Sequence, residues 1–230
     1  MLVFSYPHFF IMEKKKKDWY KVKKYPHIGL PLKANDRHKW IQKYVTSAEE
    51  VSKHSFLPFI HKTSKVRRFR KEYDPNYGLL NKVTVNGKNS SRKSSSKKRE
   101  LYYASHLDSL IFSYYSKLLI DCYEKKLDEN NLSEVVNAYR TVAINNLEAD
   151  GPNKCNINFA DDVFQYIKSF PHEKFVVIAF DIKSFFDNLN HAKLRDAWMK
   201  VMEVDELPPD HFNVYKNITR FSYVDIVDIF

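Results

Sequence analysis

One aspartate in this chain is delivered in a way that suits metal-dependent phosphoryl chemistry. Residues 175–182, FVVIAFDI, form a continuous apolar run rich in β-branched side chains, with Asp181 near its end. Such a run predicts a strand buried on both faces at the centre of a sheet. A carboxylate at the polar end of a rigid strand can hold a divalent cation. Phosphoryl transfer needs that placement, because two cations must sit about 4 Å apart. Mg²⁺ keeps much of its water and takes one or two carboxylates, so Asp181 alone supplies half of such a site. Phe185 and Phe186 follow, and then a helix opens at His191 with Leu194 three positions on.

The string DIKSFFDNLNHAKL, residues 181–194, resembles the first carboxylate motif in the palm of reverse transcriptases. The nearest pattern is that of the bacterial retron, group II intron and phage-defence (abortive-infection) types. The aspartate, the paired aromatics, the histidine and the leucine occur in the same order. Two upstream segments resemble the family less sharply. KKRELYYASHLDSLIFSYYSKLL, residues 97–119, is similar to a fingers motif, and there Lys97 and Arg99 fall on a basic pair that meets the incoming triphosphate. AYRTVAINNLEADGPNKCNINFADDVFQYI, residues 138–167, is similar to the next motif. It places Tyr139, Arg140 and Lys154, with Asn156, Phe159 and Ala160, near the template. Phe186, five residues after Asp181, falls on the aromatic that lies under the nucleotide sugar and excludes a 2′-hydroxyl. The resemblance covers residues 97–203.

That resemblance implies an α/β (α+β) right-hand polymerase: fingers and a partial palm, helix-rich, with a central strand bearing Asp181. It implies an RNA-directed DNA polymerase using Mg²⁺ (or Mn²⁺), dNTPs, an RNA template and a DNA primer or product, in a setting of phage defence. Bland readings stand beside it. Phe185 and Phe186 would both be core residues, His191 would fix the turn or cap the helix, and Asp187 would lie past the strand end.

The elements that must position these groups are partly legible. LYYASHLDSLIFSYYSKLLIDCYEKKL carries Leu107, Leu110, Ile111, Tyr114, Leu118 and Leu119 at helical spacing, which predicts a long buried helix over 104–126. A second helix is expected over 159–170 with Asn158 as N-cap, and a third over 191–202 with Leu194, Trp198 and Met202 inward. Residues 38–61 are weakly helical up to Pro58. Lys82–Val85 followed by Asn86–Gly87 signals a hairpin, and the serine-rich stretch after it is expected to be a mobile loop.

Charge is divided along the chain. Residues 1–99 hold 25 Lys/Arg against 7 Asp/Glu, a net of +18, and residues 100–230 hold 13 against 21, a net of −8. A basic first half beside an acidic second half fits a polyanion partner next to a cation site. The run KTSKVRRFRKEY, residues 62–73, contains Arg67, Arg68 and Arg70 among aromatics. Such residues neutralise phosphates, while a solvated charge run is the plain alternative. The organisation expected is therefore a basic extension and start of the fingers over 1–96, then fingers and partial palm over 97–230.

Hydrophobic residues make up 43% of the chain and aromatics 15%, enough for a packed core. Two cysteines make no disulfide framework, and no apolar stretch is long enough to span a bilayer, so a cytoplasmic setting without membrane contact is expected. The charges that follow the first apolar residues are in the wrong order for a secretory signal, and Met12 is an alternative start.

One motif is a decoy. FADD, residues 159–162, looks like the aromatic-x-Asp-Asp box that supplies the second carboxylate pair in this family. It precedes Asp181 and lies in a helical pattern, so it is read as structural. No adjacent aspartate pair follows Asp181. The expectation is an incomplete site, inactive alone: a truncated gene product, a split first subunit whose partner polypeptide supplies the remaining palm and thumb, or a degenerate relative. The competing readings are a non-catalytic nucleic-acid-binding module and a scaffold subunit that retains the polymerase fold.

Overall fold

The structure is a computed structural model that describes residues 18–33, 35–70, 73–74, 78–79, 83–85, 88–90, 93–144, 151–171, 174–182 and 184–229. It divides into two units, one containing Tyr115–Leu207 and the other Tyr20–Tyr114 with Pro208–Phe230. The expected boundary between residues 96 and 97 falls inside a strand that is laddered along its whole length, so the chain is not divided there. The expected alternative start at Met12 lies outside the described residues.

The second unit is built on a long hairpin. β1 (Phe59–Arg70) pairs antiparallel with β6 (Lys93–Tyr103), in register from Ile60 opposite Tyr103 to Arg70 opposite Lys93. Between them lie β2 (Tyr73–Asp74) with β3 (Gly78–Leu79), and β4 (Val83–Val85) with β5 (Lys88–Ser90). The last pair carries the expected hairpin, while Asn86–Gly87 lies outside the described residues. The serine-rich stretch expected to be a mobile loop is instead the start of β6. Lys and Ser are poor strand formers in isolation, and the ladder to β1 overrides that preference. β7 (Tyr223–Asp225) adds to the other side of β1 in parallel, giving the sheet order β6-β1-β7.

Only the start of β1 is covered, and Lys65, Val66 and Arg67 are all exposed. Ile60 is buried beneath the sheet, and His61, opposite Tyr102, faces the other way. A π-helical turn at Arg37–Ile41 leads into α1 (Gln42–Val45), and α2 (Ala48–Ser52) follows, N-capped by Ser47. Ile41, Val45 and Val51 are fully buried with Leu110 and Ile111. α2 packs on α6 (Pro209–Thr219), where Asn213 Nδ2 donates to the carbonyls of Val51 at 2.8 Å and His54 at 2.9 Å. α3 (His106–Glu129) is the long helix expected from the leucine spacing.

In the other unit, α4 spans Asn156–Ser169. Its N-cap is Cys155 rather than Asn158. Asn158 sits at the third helical position, and its Oδ1 accepts the Cys155 backbone N–H at 2.9 Å. α5 (His191–Met202) has the expected limits. Asn190 caps it by accepting the Lys193 N–H at 3.0 Å, and Trp198 is buried. α5 ends on Glu203 in the left-handed region at φ 58°.

The central strand expected at residues 175–182 is not formed. Residues 174–182 are described without helix or strand, and Val176 and Phe180 are 84% and 91% exposed. A strand exists only where a neighbour accepts and donates along its length, and no described segment pairs with this one. Its β-branched composition alone cannot supply that partner.

Candidate nucleic-acid and metal site

The expected site residues fall into both units. In the hairpin unit, Arg67 lies on β1 opposite Ser96, Lys97 lies opposite Val66, and Arg99 opposite Ser64. Directly opposed residues share a face of a sheet, and neighbours along a strand alternate. Arg67 therefore shares its face with Lys65, Lys98, His61 and Tyr102, while Lys97 and Arg99 occupy the reverse face. Arg68 and Arg70 are placed by register opposite Ser95 and Lys93. Lys65, Arg67, Lys97, Lys98 and Arg99 are all exposed.

In the other unit, Asp181 is exposed at the end of the extended segment. Ser184 then takes φ 51°, and a 3₁₀ turn carries Phe186, Asp187 and Asn188 toward α5. Phe186 meets Tyr139 edge to face, with ring centroids 6.0 Å apart. Tyr139 itself sits at φ 61°. A tyrosine in the left-handed region is strained by its Cβ, so surrounding structure must hold it there. Two residues of the expected nucleotide and template sites are thus brought together.

Arg140 and Lys154 are each paired with a carboxylate of their own unit. The Arg140 guanidinium grips Glu124 of α3 through Nε–Oε1 at 2.7 Å and Nη2–Oε2 at 2.6 Å. Its Nη1 donates to the carbonyls of Ser133 and Val136, both at 2.6 Å. Four of its five N–H donors are engaged within the protein, and its side chain is 8% exposed. Lys154 Nζ stands 2.8 Å from Asp162 Oδ2, so the second aspartate of FADD pairs with a lysine. FADD lies within α4, as read from its helical pattern.

Among the described residues no group of three His, Cys, Asp or Glu side chains is arranged to hold a metal ion. A two-cation centre around Asp181 is not assembled by the described residues.

The sequence reading missed a polar cluster on the sheet. His61 on β1 bridges two carboxylates: Nε2 is 2.6 Å from Glu100 Oε2 on β6, and Nδ1 bonds Asp225 Oδ1 on β7. Thr63 Oγ1 donates to the same Glu100 oxygen at 2.7 Å. The hydrogen bonds to Asp225 and Glu100 hold His61 above the usual histidine range. Those from Thr63 and His61 hold Glu100 below the usual carboxylate range. Partners 39 and 164 positions away leave no local sequence signal.

No helix among the described residues is long and apolar enough to cross a membrane. No family model matches the chain, and no curated protein matches it.

Proposed function

We propose that this chain is the fingers and partial palm of a reverse-transcriptase-type polymerase that extends a DNA primer on an RNA template. The ordered string of Asp181, Phe185–Phe186, His191 and Leu194 carries the reading, because as a whole it resembles the first carboxylate motif of the family. Asp181 contributes a carboxylate to Mg²⁺ or Mn²⁺. The bound cation supplies charge neutralisation at the triphosphate. Lys97 and Arg99, exposed on one face of β6, offer positive charge to phosphates. Phe186, buttressed by Tyr139, forms the floor under the sugar. In this reading a second polypeptide brings further carboxylates to Asp181.

A non-catalytic nucleic-acid-binding module is the second reading. The observation favouring it is that no described side chain joins Asp181 in a metal-binding group.

Primer extension separates the two. The protein is purified with the polypeptides that accompany it in its own cells and assayed with Mg²⁺, dNTPs and a primed RNA. Asp181→Asn is expected to lower extension by orders of magnitude while the melting temperature stays unchanged. The amide keeps the shape but loses the charge that holds the cations. Asn and Asp serve a turn or cap equally well, so near-normal extension by the variant would remove Asp181 from the chemistry.

A further inference from the structure

One face of the β6-β1-β7 sheet combines exposed rings with unpaired cations. Tyr102 on β6, Tyr223 on β7 and Phe221 just before it are 40%, 53% and 40% exposed. The ring centroid of Tyr102 lies 5.1 Å from that of Phe221 and 5.5 Å from that of Tyr223. Phe221 is stacked on Phe59 with ring centroids 4.9 Å apart, which anchors the cluster, while Tyr102 and Tyr223 stand at its exposed side. Along the same face, Lys65 stands directly opposite Lys98, with Arg67 two residues beyond. Like charges directly opposed across a ladder are destabilising by themselves. None of the three forms an ion pair among the described residues, so an anion lying along the hairpin would relieve the repulsion. At about 3.3 Å per residue, Lys65 lies about 13 Å along β1 from the level of the rings, within reach of a few nucleotides.

We infer that this sheet face is a binding site for single-stranded nucleic acid, with bases stacked on Tyr102, Tyr223 and Phe221 and phosphates on Lys65, Lys98 and Arg67. The inference rests on the nucleic-acid reading above and names where a strand lies. Duplex would not suit the surface, since paired bases offer no free faces to the rings, whereas an unpaired base always has one. Two carboxylates share the face, Glu100 and Asp225. Both are engaged by His61, whose single positive charge offsets one of the two. Lys98 lies near enough to Glu100 to favour its ionised form, so phosphates are placed toward Lys65, Lys98 and Arg67 and bases toward the rings. Stacking on the rings is tolerant of sequence, and the cations give it a strong salt dependence.

The test uses the full chain, a labelled oligothymidylate and the same sugar–phosphate chain without bases, followed by fluorescence anisotropy. The base-bearing strand is expected to bind roughly 10-fold or more tightly than the abasic one. Tyr102→Leu, which stays apolar but lacks a π face, should weaken the base-bearing strand roughly 5- to 100-fold and leave the abasic strand unchanged. Tyr102→Phe should bind as the wild type does. Lys65→Gln should lower the slope of log affinity against log salt by about one, while Tyr102→Leu leaves that slope alone. Equal binding of the two strands, equal binding of Tyr102→Leu and Tyr102→Phe, or preference for duplex would each overturn the site. If these fail while Asp181→Asn still abolishes extension, the polymerase reading stands without this surface. If they hold while Asp181→Asn extends normally, the surface stands and the polymerase reading falls. A preference for an acidic polypeptide over the oligothymidylate would assign the face to a protein and overturn the inference.

Discussion

His54 Nε2 lies 2.8 Å from Asp108 Oδ1, and both side chains are sealed from solvent, at 9% and 1% exposure. The link joins the turn after α2 to the first turn of α3. Asp108 also accepts the Leu57 backbone N–H at 3.0 Å, and Tyr44 Oη lies 2.8 Å from His54 Nδ1. With Nε2–H donating to the carboxylate, a neutral His54 has Nδ1 left to accept the tyrosine hydroxyl. Removing one partner of a buried pair leaves the others unsatisfied. Asp108→Ala is therefore expected to destabilise the protein by about 3 kcal/mol, and Tyr44→Phe by about 1 kcal/mol. Urea denaturation measures both, and a loss under 1 kcal/mol for Asp108→Ala would show that the network adds little.

The His61 cluster predicts a stability that depends on pH. Its imidazole titrates above the usual histidine value because Asp225 and Glu100 favour the charged ring. A raised value contributes stability that is complete below the unfolded histidine value of about 6.5 and is lost as pH rises through the folded one. Glu100 is shifted down, so its contribution is present above the unfolded carboxylate value of about 4.3 and lost as acid protonates it. The melting-temperature gap between wild type and His61→Gln should thus be widest from about pH 5 to 6.5 and shrink on either side. A gap that stays constant through alkaline pH would contradict the ion-pair assignment.

Arg140→Ala should cost about 2–3 kcal/mol by chemical denaturation, since Glu124 and two carbonyls lose their donor together. Arg140→Lys should recover little of it, because an ammonium cannot reproduce the two-pronged grip on Glu124. Full stability in the lysine variant would mean that the fork geometry is unimportant.

Phe186→Ala should relax sugar selection in the polymerase. The ratio of dNTP to rNTP incorporation is expected to fall at least ~10-fold, with the larger change in rNTP use. Tyr139→Ala, which removes the edge contact, should move the ratio in the same direction by less. Incorporation ratios from single-nucleotide extension decide this, and an unchanged ratio in Phe186→Ala would leave the ring a packing residue.

Legibility followed the range of the interactions. α5 could be read to its limits from Leu194, Trp198 and Met202 at helical spacing, although its cap is Asn190 rather than the expected His191. α3 could be read from leucine spacing. The start of α4 was displaced because a cysteine N-cap gives a weak signal beside Asn158. Strands were misread in both directions. Residues 93–100 carry little strand propensity and form one because β1 lies alongside, whereas 175–182 carry it strongly and have no described neighbour. At the candidate site, Asp181 and Phe186 are singled out by their order in the chain alone, and the contact of Phe186 with Tyr139 carries no local signal. The tie of Arg140 to Glu124 and the His61 cluster depend on residues far apart in sequence.

The pairing of β7 with β1 bears on the order in which the protein assembles during synthesis. Asp225 leaves the ribosome 164 residues after His61, whereas β6 follows β1 closely enough to ladder onto it early. Until α6 and β7 are made, one flank of β1 stays open and Val51 and His54 lack the Asn213 amide. The stretch from Pro208 to Asp225 is therefore the stitch that closes a unit begun with residues made far earlier. Pauses in translation before Pro208 would prolong the time that this flank is exposed to wrong partners.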